Sequence, residues 1–156
     1  MRELLSFPDP LNEKAARTVA AVVAALGVVT LATQAWWLLV VLAYGFVARV
    51  LTGPTLSPLG RLAKDVVAPR LGPATMVPGP PKRFAQGVGA VLTTAAAVLA
   101  LAAGATTAAA ALTAVLVVFA ALEAAVGFCM GCKVFALLMR TGLVPQSVCE
   151  RCAQTT

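Results

Sequence analysis

The sequence predicts an all-α membrane protein with four transmembrane helices in two hairpins. A proline-rich cytoplasmic loop with a short interfacial helix joins the hairpins, and a short cytoplasmic tail follows. Hydrophobic residues make up 60% of the chain and charged residues only 12%, against about 25% charged in typical soluble domains. No charged residue lies between Arg17 and Arg49, and Glu123 is the only one between Arg83 and Lys133. Uncharged apolar runs of this length are typical of membrane spans.

Each of the two uncharged blocks is too long for one span and suits two. The first block turns at Gln34, which places Trp36 and Trp37 at the outer interface, where amphipathic rings are favoured. The second block divides at Gly104, a residue type that ends helices. The resulting spans are 16–33, 35–51, 84–103 and 108–127. A cleavable signal peptide fits the first span less well, because the preceding segment contains acidic residues and is not a basic n-region.

The distribution of basic residues predicts the orientation. With two hairpins, the amino terminus, the 52–83 loop and the 128–156 tail share one side of the membrane. All twelve Lys and Arg residues lie on that side or at its boundary, and the hairpin tips have none. The positive-inside rule makes this side cytoplasmic, so residues 1–156 form a single membrane domain with both termini in the cytoplasm. Topology thus accounts for the net charge of +6, and nucleic-acid binding is not predicted because aromatic residues are not interleaved with the basic ones.

The 52–83 loop contains seven prolines, which exclude a long helix over most of its length. Between Pro58 and Pro69 a short amphipathic helix fits, with the apolar residues Leu59, Leu62 and Val66 on one face. Its other face is charged, with Arg61, Lys64 and Asp65. This pattern is typical of a helix lying on anionic headgroups, and a docking surface for a partner is the alternative.

Four phrases of the sequence are recognisable: "FPDPLNEKAAR", "FVARVLTGPTLSPLGRLAKDVVAP", "GPPKRFAQGVGA" and "FCMGCKVF". With them, nearly the whole chain resembles the bacterial membrane family known as domain of unknown function 4395. The resemblance implies a small multi-pass protein of the bacterial inner membrane, from a family without an established activity. It also implies a loose association with thioredoxin-like and rhodanese-like sulfurtransferase proteins, which are soluble.

The four cysteines form two Cys-x-x-Cys pairs, Cys129 with Cys132 and Cys149 with Cys152. Cytoplasmic thiols are normally reduced, which argues against a permanent structural disulfide. The 16 residues between the pairs fit a site of four thiolates for zinc or an iron–sulfur cluster. Because the chain has no histidine, such a site would contain only sulfur ligands.

Thiol chemistry is the second interpretation of the same residues. Gly127 and Gly131 bracket Cys129, so the fourth span ends there and a new helix over 133–140 begins at the pair. A helix N-terminus and the adjacent Lys133 both lower a thiol pKa. This predicts Cys129 as nucleophile and Cys132 as resolving thiol, with the tail pair Cys149 and Cys152 as shuttle thiols. The remaining interpretation is structural, with small apolar cysteines packed at a helix end.

The family association favours exchange of electrons or sulfane sulfur with a thioredoxin-like or rhodanese-like soluble protein. Such exchange needs no cofactor, whereas the alternative is a non-catalytic membrane module with a zinc or iron–sulfur site. A small transporter, or transporter subunit, for a sulfur species is the third hypothesis. It requires a homo-oligomer, since four thin helices enclose no path alone.

Glu123 is the only acid within a predicted span, and Arg49 lies at nearly the same depth in another. Counted from the outer ends of their spans, both lie about 21–22 Å deep. Because a buried charge needs a partner, this predicts an intramembrane Arg49–Glu123 ion pair that clamps two helices. The functional alternative makes Glu123 a proton acceptor for the nearby thiols.

Overall fold

The computed structural model describes residues 7–149, and the fold over this part of the chain is helical with one two-stranded sheet. Three helices are long and apolar enough to cross a membrane, with 21, 23 and 21 residues, and a fourth apolar helix has 15. The helices are α1 (Glu13–Thr33), α2 (Leu38–Thr52), α3 (Pro58–Leu62), α4 (Ala68–Arg70), α5 (Gly79–Leu101), α6 (Thr106–Val126) and α7 (Met130–Arg140). A π-helical turn (Ala63–Val67), a 3₁₀ turn (Gln146–Val148) and the strands β1 (Leu11–Asn12) and β2 (Met76–Val77) complete the described chain.

The helix ends differ from the predicted spans for local reasons. Helix α1 begins three residues early because the Asn12 side chain accepts a hydrogen bond from the Lys14 N–H. It ends at Gln34, which adopts a left-handed conformation with φ of 55°. The next three residues form a turn, so α2 is only about 22 Å long. Helix α5 begins at Gly79 because prolines are well tolerated in a first helical turn.

Each helix of one predicted hairpin packs mainly against a helix of the other hairpin. Helix α1 packs mainly against α6 and α2 mainly against α5, while α5 and α6 also pack together. Helices α1 and α2 contact each other much less. Small residues allow these close approaches, since a methyl group at Gly27 would collide with Val117, and one at Gly89 with the Phe46 ring.

The segment before α1 fastens one end of the helices together. Strand β1 pairs antiparallel with β2, with Leu11 opposite Val77. The Asp9 carboxylate accepts a hydrogen bond from the Gly79 N–H at 3.0 Å, at the start of α5. Arg17 donates to the carbonyl groups of Ala124 and Ala125 at the end of α6. These contacts hold α1, α5 and α6 at the end where the cysteine pair lies.

The central loop is helical from residue 58 to residue 70, with the π-helical turn in its middle. The apolar side chains that are buried in this loop are not the ones predicted to share one face. Leu59 packs against the core, whereas Leu62 and Val66 are exposed, and Ala63 and Ala68 are the buried residues. The π-helical turn Ala63–Val67 advances the chain by fewer degrees per residue than an α-helix, which moves Val66 off the face of Leu59.

Candidate functional site: a cysteine pair beside a buried ion pair

The first cysteine pair lies at the start of α7. Gly127 ends α6 in a left-handed conformation, and Cys129 then occupies the N-cap position of α7. The Cys132 N–H donates to the Cys129 sulfur at 3.4 Å, as an N-cap side chain requires. Both cysteines are free thiols, and Cys129 is 7% exposed while Cys132 is half-buried. The new helix thus begins at Met130, three residues before the predicted Lys133.

The glycine within the Cys-x-x-Cys motif lets α7 lie directly on α5. A Cβ atom on Gly131 would lie 2.5 Å from the Cβ and 2.6 Å from the Cα of Ala85. Backbone atoms cannot yield to such a contact, so any side chain here would separate the two helices. The packing of α7 on α5 therefore requires glycine at position 131.

A buried ion pair accompanies the thiols. Lys82 Nζ lies 2.6 Å from Glu123 Oε1, and the side chains are only 7% and 14% exposed. Lys82 is in the first turn of α5 and Glu123 in the last turn of α6. The predicted ion pair of Glu123 with Arg49 is therefore corrected to one with Lys82. Arg49 and Glu123 lie on helices that are not direct neighbours, because α6 packs on α5 and α1, whereas Arg49 lies on α2, which packs on α5.

Arg49 instead joins α2 to α5 and to the central loop. Its Nε donates to Gln86 Oε1 at 2.7 Å, and its Nη1 donates to Ser57 Oγ at 3.2 Å. The guanidinium also lies over the Phe46 ring, 4.7 Å from the centroid. The side chain is 6% exposed, and it holds the start of α3 against the bundle through the Ser57 cap.

The two thiols differ in acidity. The hydrogen bond donated by the Cys132 thiol lowers the pKa of Cys129, and the nearby Lys82 charge lowers it further, against burial and Glu123. Donating that bond raises the pKa of Cys132, and burial raises it further. The predicted cation, Lys133, has its Nζ 6.0 Å from the Phe128 ring centroid.

Lys82 is the site residue that sequence reasoning missed. The sequence prediction places it in the proline-rich loop, two residues before the predicted span. The signal that identifies it is the Pro80–Pro81 pair, which is typical of a first helical turn and moves the start of α5 back to Gly79. Lys82 then lies inside the helix and one turn before Gln86, on the face that meets Arg49 and Glu123.

An apolar cavity of about 390 Å³ opens beside the thiols, between α1, α2, α5, α6 and α7. Cys129 and Glu123 line it, whereas Cys132 does not. A smaller cavity of about 190 Å³ lies on the other side of Gln86 and is lined by Arg49 and Lys82. The two thiols therefore have different surroundings, since Cys129 lines the cavity and the half-buried Cys132 does not.

The second cysteine pair is only partly described. Cys149 is buried against Phe135 and Met139 of α7 and is disulfide-bonded, contrary to the expectation of reduced thiols; Cys152 lies outside the described residues. Met139 follows Cys129 by ten residues, about 15 Å along a helix. Within residues 7–149, no three Cys, His, Asp or Glu side chains lie together as a metal site requires.

A family model described as "Domain of unknown function (DUF4395)" matches residues 11–140. The chain belongs to this family. The DUF4395 match includes Cys129, Cys132, Lys82 and Glu123 and ends before Cys149. Comparison with curated proteins and with solved structures gives no significant match.

Proposed function

We propose that this DUF4395 protein is a four-span protein of the bacterial inner membrane, one membrane unit with both termini in the cytoplasm. The three long apolar helices support a lipid environment. Support for α2 as a fourth, short span comes from its exposed large apolar side chains, Val40, Val41, Tyr44, Val47 and Leu51. A span shorter than the bilayer is accommodated by local thinning.

We further propose that Cys129 and Cys132 form a dithiol centre that cycles between two thiols and one disulfide. The observation that carries this proposal is the placement of Cys129 as the N-cap of α7, hydrogen-bonded to Cys132 and close to a buried lysine. A helix N-terminus and a nearby cation both stabilise a thiolate, the reactive form of cysteine.

The buried charges support the same conclusion. Arg49 and Lys82 are cations, and Glu123 is the one carboxylate paired with either among the described residues. One positive charge therefore remains without a counterpart in this part of the structure. A thiolate at Cys129 lowers the excess positive charge through its interaction with Lys82, and burial makes this interaction stronger than it would be in water.

The exchange partner in this proposal is a thioredoxin-like or rhodanese-like soluble protein. A partner thiolate attacks the half-buried Cys132 sulfur of the Cys129–Cys132 disulfide, and Cys129 leaves as a thiolate. A second partner thiol then displaces Cys132, so the partner loses two electrons and the centre gains them. A thiol of low pKa is the better leaving group, which matches the acidity of Cys129.

In the opposite half of the cycle Cys129 is the nucleophile and Cys132 the resolving thiol. The Cys129 thiolate attacks an oxidised acceptor, or the outer sulfur of a persulfide, and Cys132 then releases the reduced product. Glu123, held by Lys82 at 2.6 Å, accepts the proton that Cys132 loses. The tail cysteines Cys149 and Cys152 act as shuttle thiols, which requires that the soluble partner first reduces the disulfide at Cys149 and that Cys149 leaves its site on Phe135.

The test uses the full chain with Cys149→Ser and Cys152→Ser, so that only the centre reacts. We expect a mild oxidant to form a Cys129–Cys132 disulfide, seen by mass spectrometry. We also expect a thioredoxin without its resolving cysteine to form a mixed disulfide at Cys132 of the oxidised protein. About one zinc per chain in the unaltered protein, with thiols unreactive until the metal is removed, would instead establish the four-thiolate site.

A further inference from the structure

The cavity beside Cys129 has the composition of a site for an apolar small molecule. Apart from Cys129 itself, the polar side chains that line it are Gln86 and Glu123. Its volume of about 390 Å³ is within the usual range of about 300–1,000 Å³ for small-molecule sites. Three phenylalanine rings, Phe46, Phe84 and Phe119, are among its walls.

The cavity reaches the outer surface of the bundle on its apolar side. Val88 of α5 and Val134 of α7 line it, and each side chain is also 39% exposed. These two residues therefore mark the place where the cavity meets the surroundings of the helices. On a span such as α5 those surroundings are lipid, so a molecule dissolved in the bilayer enters without crossing water.

We propose that the Cys129–Cys132 dithiol is oxidised in this cavity by a membrane-soluble quinone. This inference rests on the proposed dithiol function and names its second substrate. An acyl chain would also fill an apolar cavity, but it accepts no electrons. A quinone ring accepts two, stacks on phenylalanine rings and offers carbonyl oxygens to the Gln86 amide.

The reaction balances with the groups present. The Cys129 thiolate adds to a ring carbon of the quinone, and Cys132 then attacks the Cys129 sulfur. The carbon–sulfur bond breaks, its electron pair remains on the ring, and a disulfide forms. Two thiols thus lose two electrons and two protons, which convert the quinone to a hydroquinone, and Glu123 passes the Cys132 proton to an oxygen. A soluble dithiol then reduces the disulfide at Cys132, which does not line the cavity.

The test follows quinone absorbance with the purified full chain in lipid nanodiscs, all four cysteines present and reduced, and decyl-ubiquinone as the probe. We expect one quinone reduced for each disulfide formed in the chain, with the Cys129–Cys132 disulfide forming first. In Val88→Trp the indole closes the cavity entrance, so the rate with quinone should fall at least about tenfold relative to the rate with diamide, a water-soluble two-electron oxidant of thiols. Val91→Trp is the matched control, because Val91 lies on the same helix, is 70% exposed and does not line the cavity.

The outcomes separate this inference from the function on which it rests. Disulfide formation with diamide but no quinone reduction would overturn the inference and leave the dithiol centre intact. Equal quinone rates in Val88→Trp and Val91→Trp would also overturn it, since the reaction would then occur outside the cavity. If neither oxidant forms a Cys129–Cys132 disulfide, the proposed function itself fails.

Discussion

Replacing either member of the Lys82–Glu123 pair should change the reactivity of Cys129 in opposite directions. Lys82→Met removes the cation that lowers the Cys129 pKa, so this pKa should rise. Glu123→Gln removes a carboxylate that raises it, so the same pKa should fall. Both single variants break a buried ion pair, and each should lower the stability of the fold by about 3–5 kcal/mol.

The magnitude follows from Coulomb's law. A unit charge about 8 Å from a thiolate contributes about 2 kcal/mol at an effective dielectric constant of about 20, which changes the ratio of thiolate to thiol by about 30-fold. At a pH below the pKa, the fraction of a thiol that is ionised falls tenfold for each unit by which the pKa rises. Lys82→Met should therefore react about 10- to 30-fold more slowly at pH 7, and Glu123→Gln should react faster until its thiolate form saturates.

The assay is the rate of iodoacetamide alkylation at Cys129 as a function of pH, followed by peptide mass spectrometry. The alkylation midpoint should move to higher pH in Lys82→Met and to lower pH in Glu123→Gln. The double variant should return close to the midpoint of the unaltered protein. Shifts of the same sign in both single variants would mean that lost stability, and not charge, controls the thiol, and the electrostatic argument would be wrong.

Three further predictions concern the scaffold around the thiols. Gly131→Ala should lower the free energy of unfolding by about 1–3 kcal/mol, because its new Cβ atom meets the Ala85 backbone. Gly87→Ala is the control and should leave the stability unchanged, because the space around Gly87 is open. Thermal unfolding in detergent measures both variants. Arg17→Gln should cost about 1.5–3 kcal/mol in the same assay through its lost bonds to the end of α6, with Arg140→Gln as control. A cysteine at Gly104, in the chain without its native cysteines, should react with a membrane-impermeant maleimide in intact cells, and protection there would contradict the proposed orientation.

Much of the fold follows from simple features of the sequence. Long uncharged runs predict the long helices, and Gln34 and Gly104 mark the turns between them because both adopt left-handed conformations. Gly127 likewise ends α6 just before the thiol pair. Each of these features is determined by a single residue or one continuous segment, so it can be predicted from the sequence alone.

The arrangement around the site is not local. That Glu123 meets Lys82 and not Arg49 depends on which helices are neighbours, and equal depth in the membrane does not determine that. The order in which the helices pack emerges from small residues such as Gly89 against Phe46. The cavity beside Cys129 depends on five helices at once, so no segment of the sequence indicates it.

A redox titration of the full chain with Cys149→Ser and Cys152→Ser tests the dithiol centre most directly. The protein is equilibrated with thiol–disulfide buffers of graded potential, and the Cys129–Cys132 disulfide is quantified at each one. A centre that exchanges electrons should give a single two-electron transition between about −270 and −120 mV, the range of known exchange proteins. If no disulfide forms at any potential, or if the disulfide is reduced only at potentials below about −300 mV, the pair is structural.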